Sequence, residues 1–235
     1  MAPYLEDVAR LRIAVFREWP YLYDGSAEYE ERYLQDYVDC PDSTLVLALE
    51  GDLVVGASTA LPLAAAEAEF QAPFLEQGLD PAAYYYLAES VLELDFRGQG
   101  AGHRFFDERE AAARRLGFAH ATFCAVVRPD DHPRRPACYR PLDGFWEKRG
   151  YRRAEGLVGH FPWPDIGARQ ESLKPWSSGA AGSDTKPASS PESLYVFESS
   201  PPRSLSLSNP ASPAKGLWVA ELVPAVWPLP GVASV

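Results

Sequence analysis

Residues 91–102 read V-L-E-L-D-F-R-G-Q-G-A-G, an apolar strand pattern that runs into an Arg-Gly-Gln-Gly-Ala-Gly turn and straight on into a helical pattern. Strand, glycine turn and helix N-terminus in that order build a site for an anion. Glycines at 98, 100 and 102 let the backbone approach without a Cβ in the way, and the first N–H groups of the helix face the anion with the positive end of the helix dipole behind them. The spacing is neither G-x-x-x-x-G-K-S/T nor G-x-G-x-x-G, so it fits neither a nucleotide triphosphatase nor a dinucleotide-binding unit. An ordinary glycine-rich turn is the plain alternative, and the flanking sequence argues against it.

Upstream, residues 87–94 supply the strand that enters the turn. Downstream, residues 103–116 read as an amphipathic helix with Phe105, Phe106, Arg109, Ala112, Ala113 and Leu116 near one face, and Gly117 stands where a left-handed C-cap belongs. A second strand is expected over 121–127. Further out, Leu5, Val8, Leu11, Val15 and Phe16 recur at helical spacing before Pro20 stops the helix. Ser26 caps a second helix that carries Glu28, Glu30 and Glu31 early and ends before Pro41. Residues 44–49 and 53–61 predict a hairpin about Glu50-Gly51-Asp52, residues 67–78 a short helix broken by Pro73, and 142–149 a last helix closed by Gly150. Strand pattern resumes at Tyr151 and over 157–161.

The glycine turn resembles the acyl-CoA pyrophosphate loop of the GNAT acyltransferase superfamily, Gln/Arg-x-x-Gly-x-Gly/Ala, with Arg97, Gly100 and Gly102 on the fixed positions. The order of elements over residues 1–176 is similar to that fold, and F-W-E-K-R-G-Y at 145–151 looks like the family's ending of the last helix. The resemblance implies a single α/β domain with a mixed central sheet flanked by helices. It also implies transfer of an acetyl group from acetyl-CoA, as co-substrate, to an amine of a small molecule or peptide. Leu92, Glu93 and Leu94 would lie along the pantetheine arm, and Arg97, Gly98, Gln99, Gly100, Ala101, Gly102 and His103 would wrap the pyrophosphate. Glu89 falls where a family general base commonly sits, with Glu93 as runner-up. Two glutamates in an otherwise apolar strand are costly to bury unpaired, which by itself points to a task or to a solvent-facing position.

One position departs from the family. Trp146 stands where many members carry a general-acid Tyr, and an indole N–H cannot protonate a thiolate as a phenol can. Tyr139, before the last helix, is the substitute candidate, and water can also protonate a CoA thiolate. The departure keeps a second reading open, a catalytically weak module that binds or senses acyl-CoA.

The net charge of -11 excludes a nucleic-acid partner, since phosphate contacts need clustered Lys and Arg. The histidines at 103, 120, 132 and 160 lack ligand spacing, so no metal is expected. Three cysteines without a C-x-x-C pair, no apolar leader and no membrane-length apolar run point to a reducing, cytoplasmic setting away from membranes. The oligomeric state stays open, a dimer included.

After Pro175 the composition turns to Ser, Pro, Ala and Gly. The expectation is a domain over 1–176 whose last apolar strand is missing, followed by a disordered tail over 177–235. A change of reading frame is an alternative origin. Trp176 to Gly182 can be encoded as TGG TCG TCT GGC GCG GCC GGA, and a preceding C shifts those bases to L-V-V-W-R-G-R, a strand of the expected kind.

Overall fold

The structure is a computed structural model and describes residues 2–161, 163–167, 193–199 and 217–222. The expected N-terminal elements form: α1 (Leu5–Phe16), then α2 (Ala27–Asp39), where Ser26 Oγ accepts from Tyr29 N–H at 3.3 Å, then the hairpin of β1 (Thr44–Glu50) and β2 (Leu53–Pro62). Alternation along β1 sends Leu45 and Leu47 to the face covered by α1 and Leu34 of α2. Val46 and Ala48 go to the other face, against Phe105. Helices thus cover both sides of the sheet.

Next come α3 (Ala68–Glu76), β3 (Tyr84–Tyr86), β4 (Ser90–Leu92), α4 (Ala101–Arg115), β5 (His120–Val127), α5 (Asp143–Lys148), β6 (Tyr151–Gly159), β7 (Ser193–Ser199) and β8 (Leu217–Leu222). The strand order is β6-β7-β5-β3-β2-β1-β8, with β4 also on β2. The β3–β5 pair is parallel and the other pairs are antiparallel, so the sheet is mixed as expected. Gly117 and Gly150 close α4 and α5 with φ of 85° and 93°.

Three expectations are corrected. Pro73 does not break α3 but sits buried inside it. A Cβ on Gly159 would lie 3.5 Å from the Pro73 ring, and this packing offsets the one backbone bond that proline removes. Of the strand expected over 87–94 only the short β4 forms, and β3 precedes that span, with an irregular step between the two. The last strand is not missing: Ser193–Ser199 fills the slot between β5 and β6, in register from Thr122↔Glu198 to Val127↔Ser193. The segment S-L-Y-V-F-E-S carries strand-forming residues, but its Ser- and Pro-rich flanks hide it in a composition scan. The sheet therefore draws strands from both sides of Trp176. The remainder of the tail expected to be disordered, 177–192, 200–216 and 223–235, lies outside the described residues.

A chain ending at Pro175 would leave β5 and β6 with unpaired edges. Its melting point should fall by more than about 10 °C, with aggregation on concentration. Thermal melts and light scattering check this, and a truncated chain that melts with the full one would exclude β7 from the sheet.

Candidate active site

β3 runs beside β5 from Tyr84↔His120 to Tyr86↔Thr122, and Leu87 N–H makes a further bond to the Thr122 carbonyl at 2.7 Å. Beyond it β4 pairs with β2 while β5 continues along β7, so the two strands part and a cleft opens between them. A β-bulge starts the parting. Ala88 N–H donates to the Thr59 carbonyl at 3.0 Å and Thr59 N–H donates to the Glu89 carbonyl at 3.1 Å, so two residues face one. The extra residue resets the alternation and turns the Glu89 side chain inward, where Glu89 is 6% exposed. Glu93 N–H meets the Val55 carbonyl at 2.9 Å, so by antiparallel alternation the N–H groups of Ser90 and Leu92 point away from β2, toward the cleft.

Arg109, buried on α4, holds the bulge. Its Nη1 donates to the Thr59 and Glu89 carbonyls at 3.1 Å each, Nη2 to Ser90 Oγ at 3.0 Å, and Nε to the Phe105 carbonyl at 3.1 Å. Burial pushes its pKa down to about 10, partly opposed by Tyr151 and Glu89, so the guanidinium stays charged at neutral pH. Ser58 Oγ adds a further bond to the Glu89 carbonyl at 2.6 Å. Hydrogen bonds from a charged donor contribute about 1.5–3 kcal/mol each, so Arg109→Met should lower stability by roughly 3 kcal/mol or more in urea unfolding. A loss under about 1 kcal/mol would mean that the bulge stands without it.

Facing Glu89 from α1 and α2 are Arg12, Glu30 and Tyr33. Arg12 Nη1 lies 2.8 Å from Glu89 Oε1, Arg12 Nε bonds Glu30 Oε2, and the Arg12 guanidinium sits 4.1 Å from the Tyr33 ring centroid and 5.0 Å from that of Phe16. Burial works against the Arg12 charge, but Glu89, Tyr33 and Glu30 outweigh it and hold its pKa above the ordinary value. Tyr33 Oη donates to Glu89 Oε2 at 3.1 Å and shares a 2.7 Å bond with Tyr37 Oη. Burial, then Glu89, raises the pKa of both phenols, so they stay neutral. Glu30, one of the early carboxylates of α2, is fully buried. Glu89, Arg12 and Tyr33 line a cavity of about 110 Å³ whose other walls include Tyr21, Phe70 and Trp163.

At the head of α4, Gly98 and Gly100 take φ of 77° and 88°, and a Cβ on either would meet nothing within 4 Å. Positive φ makes glycine the fitting residue there. The N–H groups of Gly98, Gln99, Gly100, Ala101 and Gly102 have no backbone acceptor among the described residues, and helix bonding begins with His103 N–H to the Gly100 carbonyl at 3.1 Å. Five donors on an open loop suit a pyrophosphate. Arg97 braces the loop, with Nε on the Leu92 carbonyl at 3.0 Å and Nη1 on Glu18 at 2.8 Å. His103 packs at a tilt against Phe145 with ring centroids 4.8 Å apart, Gln99 Nε2 bonds the Asp95 carbonyl at 3.1 Å, and Leu94 is exposed in a short 3-10 turn.

No family model matches the sequence, and no curated protein matches it significantly. Solved structures do. A ribosomal-protein-alanine N-acetyltransferase from Brucella melitensis superposes with a TM-score of 0.50 at 11% identity, covering 84% of this chain and 94% of that one. The fold is similar to that of this N-acetyltransferase. Other solved structures to which the chain is similar are an aminoglycoside 6'-acetyltransferase type Ii at 20% identity (86% and 93% covered, TM-score 0.45) and a streptothricin acetyltransferase from Bacillus anthracis in complex with acetyl coenzyme A at 11% identity (70% and 66% covered, TM-score 0.38).

On this fold the expected site residues separate into groups. Glu89 and the loop of Gly98 to Gly102 flank the cleft from opposite ends of the β4 segment, with Leu92 between them. Glu93 points elsewhere, pairing with Arg10 at 2.9 Å on the surface, and neither it nor Tyr139 lines the cavity. Tyr139 packs edge-on to Trp19, with ring centroids 5.9 Å apart, under the Arg135 guanidinium. Trp146 packs on Phe123 at 5.0 Å and fills core space beside Tyr151, whose Oη is bonded to Glu110. The loop after β5, which reads as a frame for an acceptor or as a solvated connection, begins with a buried clamp: Arg128 bonds the Pro20 and Tyr21 carbonyls and Asp165. Sequence reasoning missed Arg12, Glu30 and Tyr33. The available signal was Arg12 itself, a charge on the apolar stripe of Val8, Leu11 and Phe16. Among the described residues no helix is long and apolar enough to cross a membrane.

Proposed function

We propose that the chain is an acyl-CoA-dependent N-acetyltransferase that acts by direct attack of an amine of a small molecule or peptide on acetyl-CoA, with Glu89 as the base. The observation that carries this reading is the bulge at Ala88 and Glu89, which turns a buried carboxylate into the cavity at the point where the strands part. Glu89 takes a proton from the ammonium form of the acceptor, directly or through water. The neutral nitrogen then attacks the thioester carbonyl; a C–N bond forms, the nitrogen gives its second proton to water, the C–S bond breaks, and the thiolate leaves as CoA and takes a proton from water. The Leu92 N–H, free of β2, is placed to polarise the carbonyl as charge develops on its oxygen. Gly98 to Gly102 hold the pyrophosphate, and the loop geometry fits that group. The three cysteines are free thiols, which suits a cytoplasmic setting.

The sensing alternative drew its support from Trp146, and the packing of that indole on Phe123 gives it a structural reason to be there. Tyr139, held against Trp19, is not needed as an acid in this scheme. Tyr139→Phe should leave turnover within about threefold, measured by thiol release, whereas a loss of about tenfold or more would restore it as the acid. The activity is tested by mixing the chain with acetyl-CoA and a panel of amines and following free thiol. Release above the amine-free blank is expected. A folded chain that neither releases thiol nor is stabilised by acetyl-CoA would overturn the proposal.

A further inference from the structure

The cavity around Glu89 carries more information than the position of a base. One guanidinium, Arg12, faces two buried carboxylates, Glu30 and Glu89, and each acid keeps one oxygen, Oε1, without an aligned hydrogen-bond donor. Glu67, half-buried at the head of α3, joins Glu89 as the second carboxylate of the lining, with Glu30 behind Arg12. The arrangement has donors to spare for no anion, because Arg12 is committed to its two partners and stacked on Tyr33 and Phe16. Two formal negative charges therefore exceed the positive one by one within the buried triad, and Glu67 widens the excess. A cation is the complement of that excess.

Most of the rest of the lining is aromatic, with Ala88, Cys124 and Val126 between the rings. Tyr21, Tyr29, Phe70, Phe161 and Trp163 present flat surfaces, and the hydroxyls of Tyr33 and Tyr37 are already bonded to each other and to Glu89. A polyhydroxylated guest would lay most of its hydroxyls against rings and recover only part of their hydration. Rings favour a flat apolar body and the face of a cation. Size sets a further limit, since an engineered apolar cavity of about 150 Å³ holds benzene. A cavity of about 110 Å³ with an open mouth admits one ring-sized body.

We infer that the acceptor is a small arylalkylamine, its ammonium directed to Glu89 and Glu67 and its ring held by the aromatic walls. This rests on the acetyltransferase reading above and narrows it. Carboxylated amines are disfavoured because the lining has no uncommitted cation, and a peptide N-terminus brings more bulk than the cavity takes.

The test uses 2-phenylethylamine as probe, its uncharged partner 2-phenylethanol, the polyhydroxylated diamine 2-deoxystreptamine and an alanine-led tripeptide. Calorimetry on the full chain should find the phenylethylamine bound at least tenfold tighter than the alcohol. Glu67→Gln should shrink that ratio several-fold while leaving alcohol binding alone, and Phe70→Ala should weaken both. In the thiol-release assay, kcat/KM for phenylethylamine should exceed that for the other two amines by at least tenfold. Equal binding of amine and alcohol, or preference for the tripeptide or the deoxystreptamine, would overturn the inference and leave acyl transfer standing. Phenylethylamine binding without stabilisation by acetyl-CoA would keep the cavity assignment and remove the acetyltransferase reading. Binding of neither would end both.

Discussion

Glu89→Gln is expected to reduce turnover roughly a hundredfold or more while the fold and acetyl-CoA binding survive. The amide keeps the shape and can still accept from Tyr33, and the Arg12–Glu30 pair left behind is formally neutral, so no unpaired charge is buried. Glu93→Gln is the companion variant. Its carboxylate sits on the surface with Arg10, and an exposed pair of that kind contributes less than about 1 kcal/mol, so activity should change little. Steady-state kinetics on both variants decides the matter. If Glu89→Gln is fully active and Glu93→Gln is dead, the two exchange roles; if both stay active, neither is the base. A melt of each variant separates lost chemistry from lost structure.

Acetyl-CoA at about a hundred times its Kd should raise stability by about 2.7 kcal/mol, and Gly100→Asp should abolish the rise. The reason is electrostatic and local. A carboxylate at the head of α4 would stand among the open N–H groups that the pyrophosphate needs, and would satisfy them itself. Because Gly100 has φ 88°, any side chain there adds strain, so Gly100→Asn is the matched control. It has the same shape and the same backbone demand without the charge. Melting curves with and without ligand should show no shift for Asp and a reduced one for Asn. A wild-type chain that melts cooperatively yet gains nothing from acetyl-CoA would remove the loop from the binding site.

Much of the fold was legible because it follows from local rules. The hairpin about Gly51, the Ser26 cap, the glycines after α4 and α5, and the loop at 97–102 each depend on a few neighbouring residues, and each occurs as expected. Pro73 shows the limit of such rules, since the ring packing that lets a helix keep a proline comes from Gly159, far along the chain. β7 shows the same limit in the sheet. A strand of seven residues between Ser- and Pro-rich stretches becomes recognisable when β5 and β6 offer it two edges.

The site divides along the same line. By itself the sequence determined the glycine loop at the head of α4 and the candidacy of Glu89, because a glycine turn at a helix start and a carboxylate in an apolar strand are both unusual locally. Which of two nearby glutamates turns inward was decided by the tertiary structure. The bulge opposite Thr59, locked by an arginine from α4, sets the alternation that buries Glu89 and leaves Glu93 with Arg10. The guanidinium of Arg12, the acid of Glu30 and the phenol of Tyr33 converge on that carboxylate from two other helices. Burial of a charge is stable when such partners arrive together, and their arrival is a property of packing that no stretch of the chain carries alone.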